Sequence, residues 1–368
     1  MCQSQIAASE SFAIDRFSSE ARTALFKGAL PREDGDIRVR AVELLVGAGG
    51  REVIVFQKIE TSEKPSASEK VRRVLISIRA ISLTATLTPC FAVLADGLRR
   101  GERLRYGVAL SAVAGALFLQ IAINLYNDVS DYVKLIDLPG TPGGSGAFDR
   151  GWTTPREILG YARVAAALGV AAGVPALLAY PFQIAAIGLL GLGGALLYSN
   201  ERFGLKYHAL GDLAVLVLCG PALTAGFSYA AFGKLIPSYL LSGFMLGLLA
   251  CSLLHVNNLQ DIDIDRARGA STLATRFGFT ASVRLLVVMN TAAFLIPVLA
   301  VARGIFPSAA LIVLFAAIPA WKMARKIRRS LGPACPSLAG VRIAAAQIHL
   351  LAGILLSVGI AIGALYGR

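Results

Sequence analysis

YGVALSAVAGALFLQIAINLYNDVSDYVKLID, residues 106–137, is an apolar run of membrane-spanning length that closes on amides and carboxylates. About twenty apolar residues cross the hydrocarbon of a bilayer. Carboxylates set beside it are costly unless a cation neutralises them. A second long apolar run ends the same way, on NNLQDIDIDRARG, residues 257–269. Two such oxygen-rich ends point to a bound metal ion.

Working outward, the rest of the chain has the same apolar character. Hydrophobic residues make up 55% and charged residues 16% of the 368, and the mean hydropathy is +0.64. That is too apolar for an ordinary soluble domain and identifies an all-α polytopic membrane protein. Nine spans are expected, near 75–97, 106–127, 158–179, 182–200, 209–231, 237–258, 281–302, 307–322 and 341–365, the eighth being short. The net charge of +13 does not indicate nucleic acid, because the basic residues sit in short loops between spans. Such loops mark cytoplasmic flanks. A cytoplasmic N-terminus puts WKMARKIRR (321–329) and both acidic clusters inside and the C-terminus outside, in an inner (cytoplasmic) membrane; LRRGERLRY (98–106) is the exception and faces outward.

Residues 1–70 are expected to form a polar cytoplasmic extension and residues 71–368 the transmembrane domain. The extension has no apolar core behind a basic start, so it does not read as a secretory signal. DIRVRAVELLV (36–46) and REVIVFQKIE (51–60) partly alternate around GAGG, which predicts a β-hairpin, and TSEKPSASEK (61–70) reads as a linker. The five cysteines, Cys2, Cys90, Cys219, Cys251 and Cys335, are scattered and lack a C-x-x-C pair, so neither a disulfide framework nor a zinc site is indicated.

On a helix, positions three, four and seven apart share a face. Gln120, Asn124, Asn127, Asp128 and Asp131 therefore form one polar stripe, and Asn257, Asn258, Asp261 and Asp265 another. Asp263 points away from its neighbours. Asp137 is out of phase, and Leu138-Pro139-Gly140 just beyond it ends the helix, so Asp137 returns to the site only from a loop. Hard oxygen donors of this kind suit Mg²⁺, which takes one or two protein carboxylates and fills its other positions with water and substrate phosphates. A diphosphate is the natural third party, with Lys134, Arg150, Lys206, Arg268 and Arg276 available to neutralise it. The plain alternatives are helix caps for the acidic residues, positive-inside loops for the cations, and structural packing for His208, His255, Tyr126, Tyr132 and Trp152. Gly191, Gly193 and Gly194 make no nucleotide loop and instead permit close helix packing.

At these residues the chain resembles a known family. N-D-x-x-D at Asn127–Asp131 and N-N-x-x-D-x-x-x-D-x-x-x-G-x-x-T-L at Asn257–Leu273 look like the paired aspartate motifs of the UbiA superfamily of intramembrane prenyltransferases. The interval from Asp131 to Asp137, and LKYHALGDLAVLVLCGP (205–221), resemble its 1,4-dihydroxy-2-naphthoate polyprenyltransferase branch. The resemblance covers about residues 75–366. It implies nine helices around a central intramembrane cavity, and prenyl transfer from a polyprenyl diphosphate to an aromatic acceptor of the menaquinone type. Mg²⁺ would be held by Asn127, Asp128 and Asp131 of the first motif and Asp261 and Asp265 of the second, bridging them to the diphosphate. The resemblance makes the four aspartates the expected catalytic core. Asn124, Lys134, Asp137, Lys206, Tyr207, Asn257, Asn258, Arg268 and Arg276 line the diphosphate and its cavity, with Lys206 and Tyr207 in a loop that closes over it.

Five positions depart from the family pattern: Ala80 follows Arg79 where relatives carry Arg-Pro, Gln260 stands where they carry a basic residue, Ala270 and Ser271 where basic residues follow the glycine, and Gly146 where they place Arg. A cation-coupled transporter is the competing reading. Transporters keep such carboxylates near the bilayer midplane and show inverted repeats, whereas these clusters lie at helix ends and no long repeat is evident.

Overall fold

The computed structural model describes residues 10–47, 50–59, 66–137, 144–198, 203–333 and 335–365. The chain divides into two compact units, Met1–Ala80 with Asn124–Val164, and Ile81–Ile123 with Ala165–Arg368.

The first unit begins with a small α/β layer: β1 (Ser11–Asp15), α1 (Ser19–Lys27), β2 (Ala29–Leu30), β3 (Ile37–Val46) and β4 (Glu52–Lys58). β3 and β4 pair antiparallel as the predicted hairpin, but inside a four-stranded sheet of order β1-β4-β3-β2. An isolated hairpin is marginal. Here Ile54, Phe56, Val39 and Ala41 point inward with Ala21, Leu25 and Leu30 and are buried. A bulge interrupts β3 between Ala41 and Glu43, and such an extra residue re-aims the backbone locally. The linker reading fails at its C-terminal half: Ser66 caps α2 (Ala67–Ser77) by accepting from the Glu69 N–H. Residues 61–65 of that stretch lie outside the described residues.

Among the described residues, nine helical runs are long and apolar enough to cross a membrane. They comprise α3 (Thr84–Arg99) with the 3₁₀ turn before it, α4 (Tyr106–Val133), α5 (Pro155–Ala179), α6 (Pro181–Tyr198), α7 with α8 (Gly211–Val217 and Leu223–Phe232), α9 (Pro237–Gln260), α11 (Leu273–Ala302), a 3₁₀ run passing into α12 (Ser308–Ala316, then Ala317–Arg328) and α13 (Val341–Leu365). The short α10 (Ile262–Ala267) follows α9. The eighth span is thus longer than its hydropathy indicates, ending at Arg328.

In the second unit α9 is central, with 67% of its apolar window buried, while α6 buries 6% and turns its leucines outward. Met245, Leu246, Leu249, Leu286, Leu356 and Ile360 form the core around α9. Pro221 removes a backbone donor, and a π-turn at Leu218–Ala222 carries α7 into α8. The backbones cross tightly there: a Cβ on Gly220 would lie 2.6 Å from the Gly243 carbonyl. Of the four glycines in α6, Gly188, Gly191, Gly193 and Gly194, only Gly194 has a close neighbour: a Cβ there would lie 2.7 Å from Leu218 Cδ1. The exception in the charge pattern, LRRGERLRY, also has a local cause. Asp96, fully buried, receives Arg99 at 2.6 Å, Arg100 at 3.1 Å and the Ser238 hydroxyl, so two arginines of LRRGERLRY neutralise a buried carboxylate.

Candidate active site

The first cluster closes α4 in the first unit. Asn124, Asp128 and Asp131 are buried, Asn127 is half-buried, and the expected stripe is present. Asn124 donates to the Ile78 carbonyl at 3.0 Å, and Arg79 donates to Asp128 Oδ1. Arg79 has φ 52°, a left-handed conformation that costs an L-residue about 1–2 kcal/mol. Such an outlier persists only where its surroundings hold it, and here the ion pair to Asp128 is the holding contact. Burial alone would lower the Arg79 guanidinium, but the carboxylates of Asp128, Asp137 and Asp131 outweigh it and hold it above its ordinary value. The second oxygen of Asp128 accepts from the Ser145 N–H at 3.3 Å.

Asp137 reaches this cluster from a loop, as its phase requires. The Ile136 N–H bonds to the Asp131 carbonyl at 2.8 Å and the Leu135 N–H to that of Tyr132 at 2.9 Å. This is a Schellman turn, with buried Leu135 at φ 61° where glycine is usual. It reverses the chain and brings the Asp137 carboxylate into the field of Arg79. Half-buried Lys134 occupies the C-cap of the same turn, bonding through its N–H to Ser130 O at 3.1 Å.

Tyr132 packs on Phe148 with ring centroids 4.6 Å apart, and its hydroxyl accepts the Ala41 N–H at 3.0 Å. Ala41 stands at the β3 bulge, so an N–H from the α/β layer serves the residue next to Asp131. Asp149 is half-buried and its carboxyl is raised by burial, against the lowering effect of Arg40 and Arg150. The Trp152 ring contacts the guanidiniums of Arg150 at 4.7 Å and Arg73 at 5.2 Å, an arginine-stacked packing role; Tyr126 is exposed.

The second cluster lies in the second unit, where α9 gives way to α10. Asp261 caps α9 rather than continuing it, but the helical ladder carries through: Asp261 N–H to Asn257 O at 3.1 Å, then Asp265 N–H to Asp261 O at 2.7 Å. Asp265 and Asn258 are buried and Asp263 is exposed, as its phase requires. Arg342, at the start of α13, donates to Asp261 Oδ1 at 2.5 Å, to Gln260 Oε1 at 2.8 Å and to Asn257 O at 3.4 Å. Gln260 thus engages a cation that sequence reasoning missed.

The basic side of this cluster is assembled from two turns. Leu205–Tyr207 form a 3₁₀ turn with the Lys206 ammonium 5.7 Å from the Tyr207 ring centre. The Tyr207 carbonyl accepts the Ser271 N–H at 3.2 Å, and the Ser271 hydroxyl accepts Arg276 Nε at 2.8 Å. Lys206, Tyr207 and Arg276 therefore belong to one structural group. Arg268 closes α10, its N–H bonded to Ile264 O at 3.0 Å. Beneath lies a buried network: His255 Nδ1 is 3.0 Å from Asp212 Oδ1, His255 Nε2 is 3.2 Å from Ser282 O, and Asn258 Nδ2 is 3.4 Å from Asp212 Oδ2. His255 is structural, and His208 likewise bonds its own turn through Gly204 O at 2.8 Å.

Among the described residues, no group of three or more His, Cys, Asp or Glu is placed to hold a metal by itself. The donor set nevertheless fits a hard cation completed by substrate oxygens. Each cluster combines carboxylates with side-chain amides, and Asn257 Oδ1, four residues before Asp261, is buried without a hydrogen-bond partner. Burying an acceptor unpaired is costly, and a cation or its water would satisfy it.

The model of the UbiA prenyltransferase family matches residues 86–345. The chain is 37% identical over 180 residues to 1,4-dihydroxy-2-naphthoate octaprenyltransferase of Escherichia coli, covering 46% of this chain and 58% of that protein. It is 37% identical over 171 residues to the Mycobacterium tuberculosis protein of the same name, with the same coverage. The match thus spans less than two thirds of either relative. A UbiA homolog from Archaeoglobus fulgidus, solved bound to GPP and Mg²⁺, shares the fold at TM-score 0.53 and 15% identity, over 77% of this chain and 99% of that one. The chain, with its two motif-bearing helix ends, belongs to the UbiA prenyltransferase family.

Proposed function

We propose that the chain transfers a prenyl group from a polyprenyl diphosphate to an aromatic acceptor, 1,4-dihydroxy-2-naphthoate or a related quinone precursor, in a Mg²⁺-dependent reaction. The observation that carries this reading is the pairing of an aspartate with an arginine in each cluster, Asp128 with Arg79 and Asp261 with Arg342. Such charge-assisted pairs fix the position of one oxygen of each carboxylate. The names of the Escherichia coli and Mycobacterium tuberculosis relatives support the acceptor class. The Archaeoglobus fulgidus structure supports the donor class and the metal.

Asn127, Asp128 and Asp131 of the first cluster, and Asp261 and Asp265 of the second, would supply oxygen ligands. Bound Mg²⁺ would withdraw charge from the diphosphate and make it a better leaving group. Lys206, Tyr207, Arg268 and Arg276 hold and neutralise the phosphate oxygens in the second unit. Lys134 does so in the first. Asn124 and Asn258, each engaged on a neighbouring element, position the stripe rather than react. When the allylic C–O bond breaks, the electron pair leaves with the diphosphate, the electron-rich acceptor carbon attacks the allylic cation, and that carbon then sheds the group it carried, a proton or a carboxylate as CO2, which restores the aromatic ring. Spans of this apolar character exclude competing water and accept the isoprenoid tail, each buried methylene contributing about 0.8 kcal/mol.

We place the protein in the inner (cytoplasmic) membrane with both clusters facing the cytoplasm, on the basic loops at that end of the spans. Nothing in the family match favours the cation-coupled transporter. Incubating purified protein with Mg²⁺, a labelled prenyl diphosphate and a panel of aromatic acceptors tests the proposal: a prenylated product that disappears with EDTA is expected. Metal-independent ion flux without any product would refute it.

A further inference from the structure

A groove of about 710 Å³ opens in the first unit between the α/β layer and the start of α5. Lys27 and Gly28 at the end of α1, Arg38 on β3, and Trp152, Arg156 and Glu157 line it. The seam beside it is closely packed. Gly28 adopts φ +64°, and a Cβ there would stand 2.8 Å from Thr154 Cγ2. Arg38 reaches across to the Gly151 carbonyl at 3.5 Å.

The charge of this groove is unbalanced. Its one acid, Glu157, is engaged in capping α5, where its Oε2 accepts from Thr153 Oγ1 at 3.0 Å, Thr154 N–H at 2.8 Å and Thr154 Oγ1 at 3.2 Å. Among the described residues, Lys27, Arg38 and Arg156 have no carboxylate partner. By contrast, Arg16, Arg32, Arg51 and Lys58 of the same layer are each paired. Three cations converging on one concave surface raise a positive potential that concentrates anions. Two of them are arginines, whose planar forks match phosphate oxygens in pairs. Arg156 is also the second residue of a helix of membrane-spanning length, which sets the groove at the depth where lipid phosphates lie.

We infer that this groove is a phosphate-binding site, distinct from the aspartate clusters, that takes a phosphoryl group between Lys27, Arg38 and Arg156. The group comes either from an anionic lipid headgroup or from free diphosphate. Its occupant cross-links the α/β layer to the start of α5, and so stabilises the layer whose Ala41 N–H holds Tyr132. All of that layer precedes residue 86, where the family match begins, so the site depends on residues outside it.

Trp152 is a built-in reporter, since the chain has two tryptophans and Trp321→Phe leaves it alone. The full-length Trp321→Phe protein, with EDTA present to silence metal-dependent binding, is titrated with sodium diphosphate. It is also compared in nanodiscs of phosphatidylcholine alone and of phosphatidylcholine with phosphatidylglycerol. A saturable change in Trp152 emission is expected with diphosphate, with phosphatidylglycerol or with both, and the responding arm identifies the source. Arg38→Gln with Arg156→Gln should weaken that response at least about tenfold. Lys27→Gln, at an exposed helix end, replaces that pair if it does not fold. Silence in both arms, or a response undiminished in a folded variant, would overturn the site.

Discussion

The guanidinium of Arg79, held in a left-handed backbone conformation, is ion-paired to the buried carboxylate of Asp128 49 residues further along the chain. This pair fixes one oxygen of the first motif. Arg79→Gln strands a buried charge, at a cost of about 3–5 kcal/mol, and should both lower thermal stability and abolish turnover. Adding Asp128→Asn should return most of the stability without activity. Thermal unfolding and prenyl-transfer assays on the single and double variants check both halves.

The Ala41–Tyr132 hydrogen bond makes the α/β layer a brace for the first cluster. Tyr132→Phe leaves the buried Ala41 N–H unsatisfied, worth about 1–3 kcal/mol, so unfolding temperature should fall with kcat reduced only several-fold. Deleting residues 1–68 removes the brace entirely and should cost far more activity than Tyr132→Phe. Full turnover by a folded truncation would show the layer to be accessory.

The Lys206 ammonium lies over the Tyr207 ring, and the Tyr207 carbonyl is linked through Ser271 to Arg276. Lys206→Ala should raise KM for the prenyl diphosphate about tenfold or more, as expected for a lost charged contact, while KM for the acceptor stays unchanged. Steady-state kinetics with each substrate varied in turn separate the two.

Asp212 accepts from His255 and Asn258 in a fully buried network behind the second cluster. Asp212→Leu leaves both partners unpaired and should destabilise the protein by about 3 kcal/mol. Asp212→Asn keeps the shape and should recover part of that loss. Denaturation midpoints of the two variants measure the difference.

The polar stripe of Asn124, Asn127, Asp128 and Asp131 was legible in the sequence because a regular helix carries it, and Asp263 was correctly set aside by the same period. The return of Asp137 from a loop is legible in its phase, but the turn that makes it is not, because it uses Leu135 in a conformation that glycine usually marks. Arg342 was invisible for another reason. It stands 81 residues from Asp261 and reads as one more basic residue at a span's inner end. The role of Gln260 followed only once that arginine was seen. In the extension, the hairpin showed its alternation, whereas β1 and α1 carry too few apolar positions for a period to stand out; burial against β4 and β3 gives them their structure. Asp212 and His255 required three-dimensional proximity that no spacing encodes.

The most direct test is product formation by purified protein with Mg²⁺, labelled polyprenyl diphosphate and 1,4-dihydroxy-2-naphthoate, run beside folded Asp128→Ala and Asp261→Ala. The wild-type chain should yield prenylated product and each variant should lose it by about a hundred- to a thousandfold, the scale of a lost transition-state charge contact. Normal turnover in either variant would contradict the assignment of the two clusters to the reaction.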